Sequence, residues 1–288
     1  LADLLEGDAG LPPGWLNVVT VPGSVADALV THEDVAAITF TGSPDVGWGI
    51  RAKAPRKRVG LELGNNAPVI VHRDADVAAA AKKITVGGYG YSGQTCISVQ
   101  RVYVHNDVAD EFLDAFEAEV AQLVVGNPAD DATNVSALID AGETDRVVGT
   151  VADALQGGAR AVIGGDRSSD GLLAPTVLAD VNDDMAVCRT EVFGPVVGVA
   201  TYSDVDAAFD SANDTRYGLQ AGIFTNDLSL GIEAAHRLDY GGVCVNEVPT
   251  YRTDQMPYGG IRDSGNTKEG PAWAVREMTE ERMVVIAR

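Results

Sequence analysis

Short apolar runs alternate with helical stretches along almost the whole chain, and that alternation leaves few folds open. Ala37–Phe40, Val59–Leu63, Arg101–Val104, Ala161–Ile163, Val196–Tyr202, Ala221–Thr225 and Gly242–Asn246 read as strands. Leu16–Val21 reads as a further strand and Ala37–Phe40 as a buried one. Between them, Ser24–Val30, Gly47–Ala54, Asp76–Val86, Asp107–Leu123, Glu143–Leu155, Val205–Ala212 and Leu230–Leu238 carry helical periodicity. A strand followed by a helix and then another strand predicts parallel pairing with helices covering the sheet, so the fold class is α/β and doubly wound. The rhythm divides near residue 64, with one unit over 1–64 and a second over 65–265. Met283–Ala287 is an apolar terminal strand with no obvious partner nearby.

Composition narrows the function classes. At 288 residues and 45% hydrophobic, the chain can bury a sizeable core. A formal charge of −21 argues against nucleic acid and against an anionic membrane surface as partners. The acidic residues form no tract, so they read as a dispersed solvated surface. That suits either an ordinary acidic cytoplasmic enzyme or adaptation to high salt, where screening relieves carboxylate repulsion. Stability measured against salt concentration separates the two. The 3 cysteines show no disulfide framework. No apolar run is long enough for a membrane span and no leader is visible, which points to the cytoplasm.

Two residues stand out chemically. Cys96, in Tyr91-Ser-Gly-Gln-Thr-Cys-Ile-Ser-Val, follows a Gly-containing loop and precedes an apolar strand. Glu62, in Val59-Gly-Leu-Glu-Leu-Gly-Asn-Asn-Ala-Pro, lies between two leucines at a strand end. A thiol that attacks a carbonyl and a carboxylate that activates water are the parts of a covalent acyl-enzyme cycle. Cys188 and Cys244 have apolar neighbours and read as small core residues. Gly88-Tyr-Gly-Tyr-Ser-Gly93 spells a dinucleotide fingerprint, but it follows an Ala-rich helix and opens none, so it is not one. Its glycines are expected to let the backbone approach Cys96 closely. Phe40-Thr-Gly-Ser-Pro-Asp-Val-Gly47 is the better phosphate site, because a strand runs through a turn into a helix start.

With Glu191-Val-Phe-Gly-Pro195, Tyr217-Gly-Leu-Gln-Ala-Gly222 and Pro257-Tyr-Gly-Gly-Ile-Arg-Asp-Ser-Gly265, these segments stand in the order found in the aldehyde dehydrogenase superfamily, which nearly the whole chain resembles. The resemblance implies NAD or NADP as cofactor and a small-molecule aldehyde as substrate. Cys96 would form the thiohemiacetal, its backbone N–H acting as an oxyanion donor, and Glu62 would activate the hydrolytic water. Gly42 and Ser43 would contact the pyrophosphate, Val46 the adenine side, and Leu63 and Gly64 the nicotinamide. Glu191 would hold the nicotinamide ribose and Phe193 would pack on the cofactor. Asn246 would lie near the active centre. The closest branch is that of lactaldehyde, succinate-semialdehyde and phosphonoacetaldehyde dehydrogenases, in which Arg252 could receive an anionic group. The implied architecture is a remaining part of a nucleotide-binding domain over 1–64, a catalytic domain over 65–265 and an oligomerisation strand within 278–288, pairing in a homodimer or homotetramer of the full-length protein.

The chain departs from the family pattern at Asn65-Asn66, where Gly-Lys is usual, and at Arg262, where Lys is usual. The family's second oxyanion donor, an Asn, and its adenosine-ribose Lys are expected before Leu1. A fragment of little activity is therefore the expectation for this chain. Two rivals remain open: a cysteine hydrolase or acyltransferase pairing Cys96 with one of His32, His72, His105 or His236, and a folded remnant without catalysis. No clustered ligands suggest a metal.

Overall fold

The computed structural model describes residues 1–167 and 171–288. After a turn of π-helix at Leu4–Asp8 come α1 (Gly23–Thr31), β1 (Ala37–Thr41), α2 (Pro44–Lys53) and β2 (Arg58–Glu62). β3 (Ala67–Val71), α3 (Val77–Tyr89), β4 (Val99–His105), α4 (Ala109–Val120), α5 (Ala141–Gln156), β5 (Arg160–Ile163), β6 (Thr176–Ala179), α6 (Ala186–Arg189) and β7 (Val196–Tyr202) follow. The chain continues with α7 (Val205–Asn213), β8 (Gln220–Phe224), α8 (Leu228–Arg237), β9 (Gly242–Val245) and α9 (Pro271–Glu277). Several helices start on an aspartate that accepts a backbone N–H: Asp76, Asp140, Asp204 and Asp227. Part of the acidic surplus thus caps helices and complements their dipoles.

Two sheets form. β1 and β2 make a parallel pair, and the other strands order β5-β6-β7-β4-β3-β8-β9, parallel except for β5 against β6. The mixed α/β architecture expected from the alternation is present. Residue parity shows why the larger sheet is covered on both faces. Val69, Val71, Val102 and Val104 join one core with Phe112 and Phe116 of α4. Ile70 and Tyr103, between them in sequence, point into another with Phe209 of α7 and Ala234 of α8. A third cluster packs Val147 and Val151 of α5 on Leu178 and Val196. The small pair carries its own core, Leu61 and Leu63 with Val30 and Ile50.

Two expectations differ from the structure, and a third awaits a second subunit. Leu16–Val21 forms no strand and is largely exposed, because no other segment pairs with its backbone groups. β1 is not buried: its residues are exposed or half-exposed throughout, since one edge of the pair is unpaired. Met283–Ala287 carries no strand within the chain, and Met283 to Ile286 are exposed. β3, wholly buried, was not among the expected strands; it contains Pro68, which offers no N–H to a central ladder, and a register shift between Ala67 and Pro68 accommodates it. β6, α6 and α9 were also not anticipated. No helix among the described residues is long and apolar enough to cross a membrane.

Candidate active site

The two sheets present opposite ends to one cleft of about 590 Å³. From the small pair come the carboxyl ends: Thr41-Gly42-Ser43 after β1, and Glu62-Leu63-Gly64 closing β2. From the large sheet come the amino ends: Cys96 before β4, and Glu191 with Phe193 before β7. Of the residues singled out in the sequence, Gly42, Ser43, Glu62, Leu63, Gly64, Cys96, Glu191 and Phe193 all line this cleft. Val46 is an exposed residue on the first turns of α2 outside it.

Cys96 and Glu62 are both sheltered. Burial is the main influence raising the Cys96 thiol above its ordinary range; the Tyr258 hydroxyl, 3.1 Å from Sγ, opposes it, while Glu191 and Glu62 add to it. The Glu62 carboxyl is 5% exposed and neither oxygen has a hydrogen-bond partner. Burial, reinforced by Glu269, pushes its pKa to about 8, against the pull of Lys268 and Arg252. A buried carboxyl without a partner is costly to retain for packing alone. Its value is chemical, since its ionised fraction, which grows as pH rises toward about 8, is a base strong enough to take a proton from water.

The rest of the cleft is built from a strand-to-helix turn, a half-buried carboxyl and an aromatic ring. Ser43 precedes α2 without capping it with its side chain, and Pro44 opens the helix; the Gly42 N–H is taken by Glu62 O, which leaves the Ser43 hydroxyl and the helix start to meet an anion. Glu191 Oε1 accepts the Asn65 N–H at 2.9 Å, and burial pushes the Glu191 carboxyl to about 7. A Cβ on Gly64 would lie 2.3 Å from Glu191 Oε2, so only glycine lets this carboxylate come so close. Phe193, with φ of 50°, holds its ring 40% exposed at the cleft rim. An exposed aromatic fixed by a left-handed backbone can stack on a planar ring.

The Asn65-Asn66 departure pins this corner. Asn65 Nδ2 donates to Gln220 O, Asn66 Nδ2 to Cys188 O, and the fully buried Arg101 donates to Asn66 O. The glycine run 88–93 has a different role from the one expected. Its closest approach is to the Glu-x-Phe-Gly-Pro element, where a Cβ on Gly93 would meet Gly194 O at 2.1 Å. Arg262 is a clamp, bonded to Asp239 and to the Asn213, Thr215 and Tyr217 carbonyls.

Asn246 and Arg252 do not line the cleft. Both ends of the Asn246 side-chain amide bind the Thr225 backbone, tying β8 to β9. Arg252 is paired with Glu269 at 2.5 Å and stacks on Tyr258. Sequence reasoning missed Tyr258, Ser264, whose hydroxyl donates to Gly64 O at 2.6 Å, and Arg146, which lines the cleft and donates to Val192 O. Tyr258 and Ser264 sit inside a recognised glycine-rich stretch, which was the available signal; Arg146 lies on α5 with no local mark. None of the four histidines lines the cleft; His72 and His105 pack on Tyr202 at the opposite, carboxyl edge of the large sheet.

The model of the aldehyde dehydrogenase family matches residues 1–284. The chain belongs to that family. A 3-sulfolactaldehyde dehydrogenase from Priestia aryabhattai is 48% identical over 287 residues, covering 99% of this chain and 60% of that protein. A lactaldehyde dehydrogenase from Methanococcus vannielii is 41% identical, over 95% of this chain and 58% of its own length. Among solved structures, the glyceraldehyde-3-phosphate dehydrogenase GapN from Methanocaldococcus jannaschii, complexed with NADP, superposes with a TM-score of 0.92 at 38% identity, covering 96% of this chain and 60% of that one. The chain thus spans about 60% of the length of the relatives it matches.

Proposed function

We propose that this chain carries the catalytic thiol and base of an NAD- or NADP-dependent aldehyde dehydrogenase that oxidises an aldehyde to a carboxylic acid. The observation carrying this reading is the shared cleft, with Cys96 and the unpartnered Glu62 carboxyl on its floor and Gly42, Ser43, Gly64, Glu191 and Phe193 on its cofactor-like wall. Relatives bound to NADP or NAD+ support the cofactor assignment.

Cys96, as thiolate, attacks the aldehyde carbon and forms a C–S bond, while its backbone N–H donates to the resulting oxyanion. Gly42, Ser43, Gly64, Glu191 and Phe193 would hold a nicotinamide cofactor, which would supply the two-electron acceptor needed to oxidise the Cys96 adduct to a thioester. Gly64 and Glu191 fix the cofactor pocket, and Phe193 shields it from water. Glu62 then takes a proton from a water molecule, which attacks the thioester carbon; the C–S bond breaks and the sulfur recovers a proton as Cys96. A Glu62 poised near 8 is matched to that proton transfer.

Relatives named for sulfolactaldehyde and glyceraldehyde-3-phosphate support an anionic aldehyde, although Arg252, engaged by Glu269 and Tyr258, is not its receiver. The exposed apolar tail 283–287 supports strand pairing with a second subunit, and the separate small core supports a division near residue 64. Three free cysteines are compatible with a reducing cytoplasm. The relatives' extra length supports little turnover by this chain alone. Mixing the chain, and a form extended to its relatives' length as the parent, with NAD(P) and a panel of anionic and neutral aldehydes tests the catalytic reading. Reduced nicotinamide is expected from the parent and little from the chain; a parent that reduces none sinks the reading.

A further inference from the structure

Tyr258 is buried beside the thiol and belongs to a line of side chains that no step above uses. Its carbonyl accepts the Glu269 N–H at 2.6 Å, which fixes the turn bearing the tyrosine against the segment bearing the acid. The Tyr258 hydroxyl lies 3.1 Å from Cys96 Sγ. Over the ring stands the Arg252 guanidinium, 4.2 Å from the centroid, held by its 2.5 Å bond to Glu269 Oε2. Four residues therefore run in series: Glu269, Arg252, Tyr258, Cys96.

The surroundings of Sγ otherwise oppose a thiolate. Glu191 and Glu62 face it, and burial removes water. Among the described residues, Tyr258 is the one side chain hydrogen-bonded to it. A phenol O–H donates more strongly to an anion than to a neutral thiol. A cation on the ring face draws electron density from the ring and makes the hydroxyl a stronger donor.

We propose that the Tyr258 hydroxyl is the donor that makes Cys96 a competent nucleophile, and that Arg252, acting through the ring, is a positioning residue that strengthens and orients that donor. This rests on the reading of Cys96 as the attacking thiol. No bond forms or breaks at Tyr258; its proton stays on oxygen while the sulfur loses its own to solvent. The line also links the two acids of the site: Glu269, which faces Glu62, is the anchor of the arginine that polarises the Cys96 donor.

The test is the pH profile of Cys96 alkylation by iodoacetamide on the intact chain, read on the Cys96 peptide by mass spectrometry. Tyr258→Phe removes the hydroxyl alone; its midpoint should rise by roughly one pH unit, with about tenfold slower alkylation at neutral pH. Arg252→Gln should move the midpoint part of the way, and Arg252→Lys should recover much of it by restoring a cation over the ring. Unmoved midpoints in folded Tyr258→Phe overturn the proposal. If that variant does not fold, an unmoved midpoint in Arg252→Gln, whose side chain is at the surface, overturns it instead. The profile needs no turnover, so a shifted midpoint without dehydrogenase activity in the parent would sink the functional reading alone. Activity with an unshifted midpoint would sink this relay alone.

Discussion

The two sheets obey opposite rules at the same cleft. β1 and β2 offer their carboxyl ends, the usual ligand-binding edge of an open α/β sheet. The seven-stranded sheet offers its amino ends, and its own carboxyl edge is closed by the packed rings of His72, His105 and Tyr202. The sheets also differ in support. β3, β4 and β8 are buried at every position, whereas β1 is exposed along its length. The site therefore joins fully buried strands on the thiol's side to a small pair whose outer strand β1 is open, although β2, which carries Glu62, is largely buried. Contacts from 264–266 lash the two together: on the small pair, Leu63 N–H donates to Ser264 O, Leu61 N–H to the Asn266 side chain and Asn266 N–H to Leu61 O, and ahead of β8, Gly218 N–H donates to the Ser264 hydroxyl.

The sharpest way to break this comparison is to remove the thiol. Cys96→Ala in the full-length parent should lower aldehyde turnover by about 10⁴-fold or more without changing Tm, since the rigid sheet does not need the sulfur. Residual steady-state oxidation would move the nucleophile elsewhere. Next, native-state hydrogen exchange should show β3 and β4 amides protected about 10³-fold more than β1 amides; equal protection would erase the mechanical difference between the sheets.

A smaller effect comes from Glu62. Its folded pKa, about 8, lies above its unfolded value, so the proton it keeps stabilises the fold fully below about pH 4.5, and that contribution is lost as pH rises through about 8. Glu62→Gln does not titrate. Its stability relative to the native protein should be level near pH 4 and greater by roughly 2–4 kcal/mol above pH 8, read by denaturant unfolding. A pH-independent difference would show that the carboxyl is not held neutral. Smallest of all, Ser43→Ala should weaken NAD(P) binding by calorimetry about threefold, one exposed hydroxyl's share of a phosphate contact. No change would leave the backbone N–H groups as the whole anion site.

Much of the cleft was legible before any coordinates. Cys96 and Glu62 were marked by type and setting, and Gly42, Ser43, Gly64, Glu191 and Phe193 by motifs whose glycines tolerate backbone approaches that no other residue could, as Gly64 against Glu191 demonstrates. Asn246 and Arg252 resisted the same treatment. A polar side chain shows its type in sequence but not its bonding partner, and these two are engaged by Thr225 and by Glu269 with Tyr258. Leu16–Val21 shows the same limit in the backbone, because β propensity without a neighbour to pair with makes no strand.

By itself the sequence determined the α/β class, the parity that sends Val102 and Tyr103 to opposite faces, and the pair of groups able to run acyl chemistry. Those properties reside in periodicity and functional-group type, which are local. Tertiary structure alone decided that opposite ends of two sheets meet, that Glu62 is buried without a partner, and that Tyr258 reaches Cys96 across 162 positions of chain. Burial and long-range contact depend on which surfaces close on one another, and no local stretch of sequence carries that information.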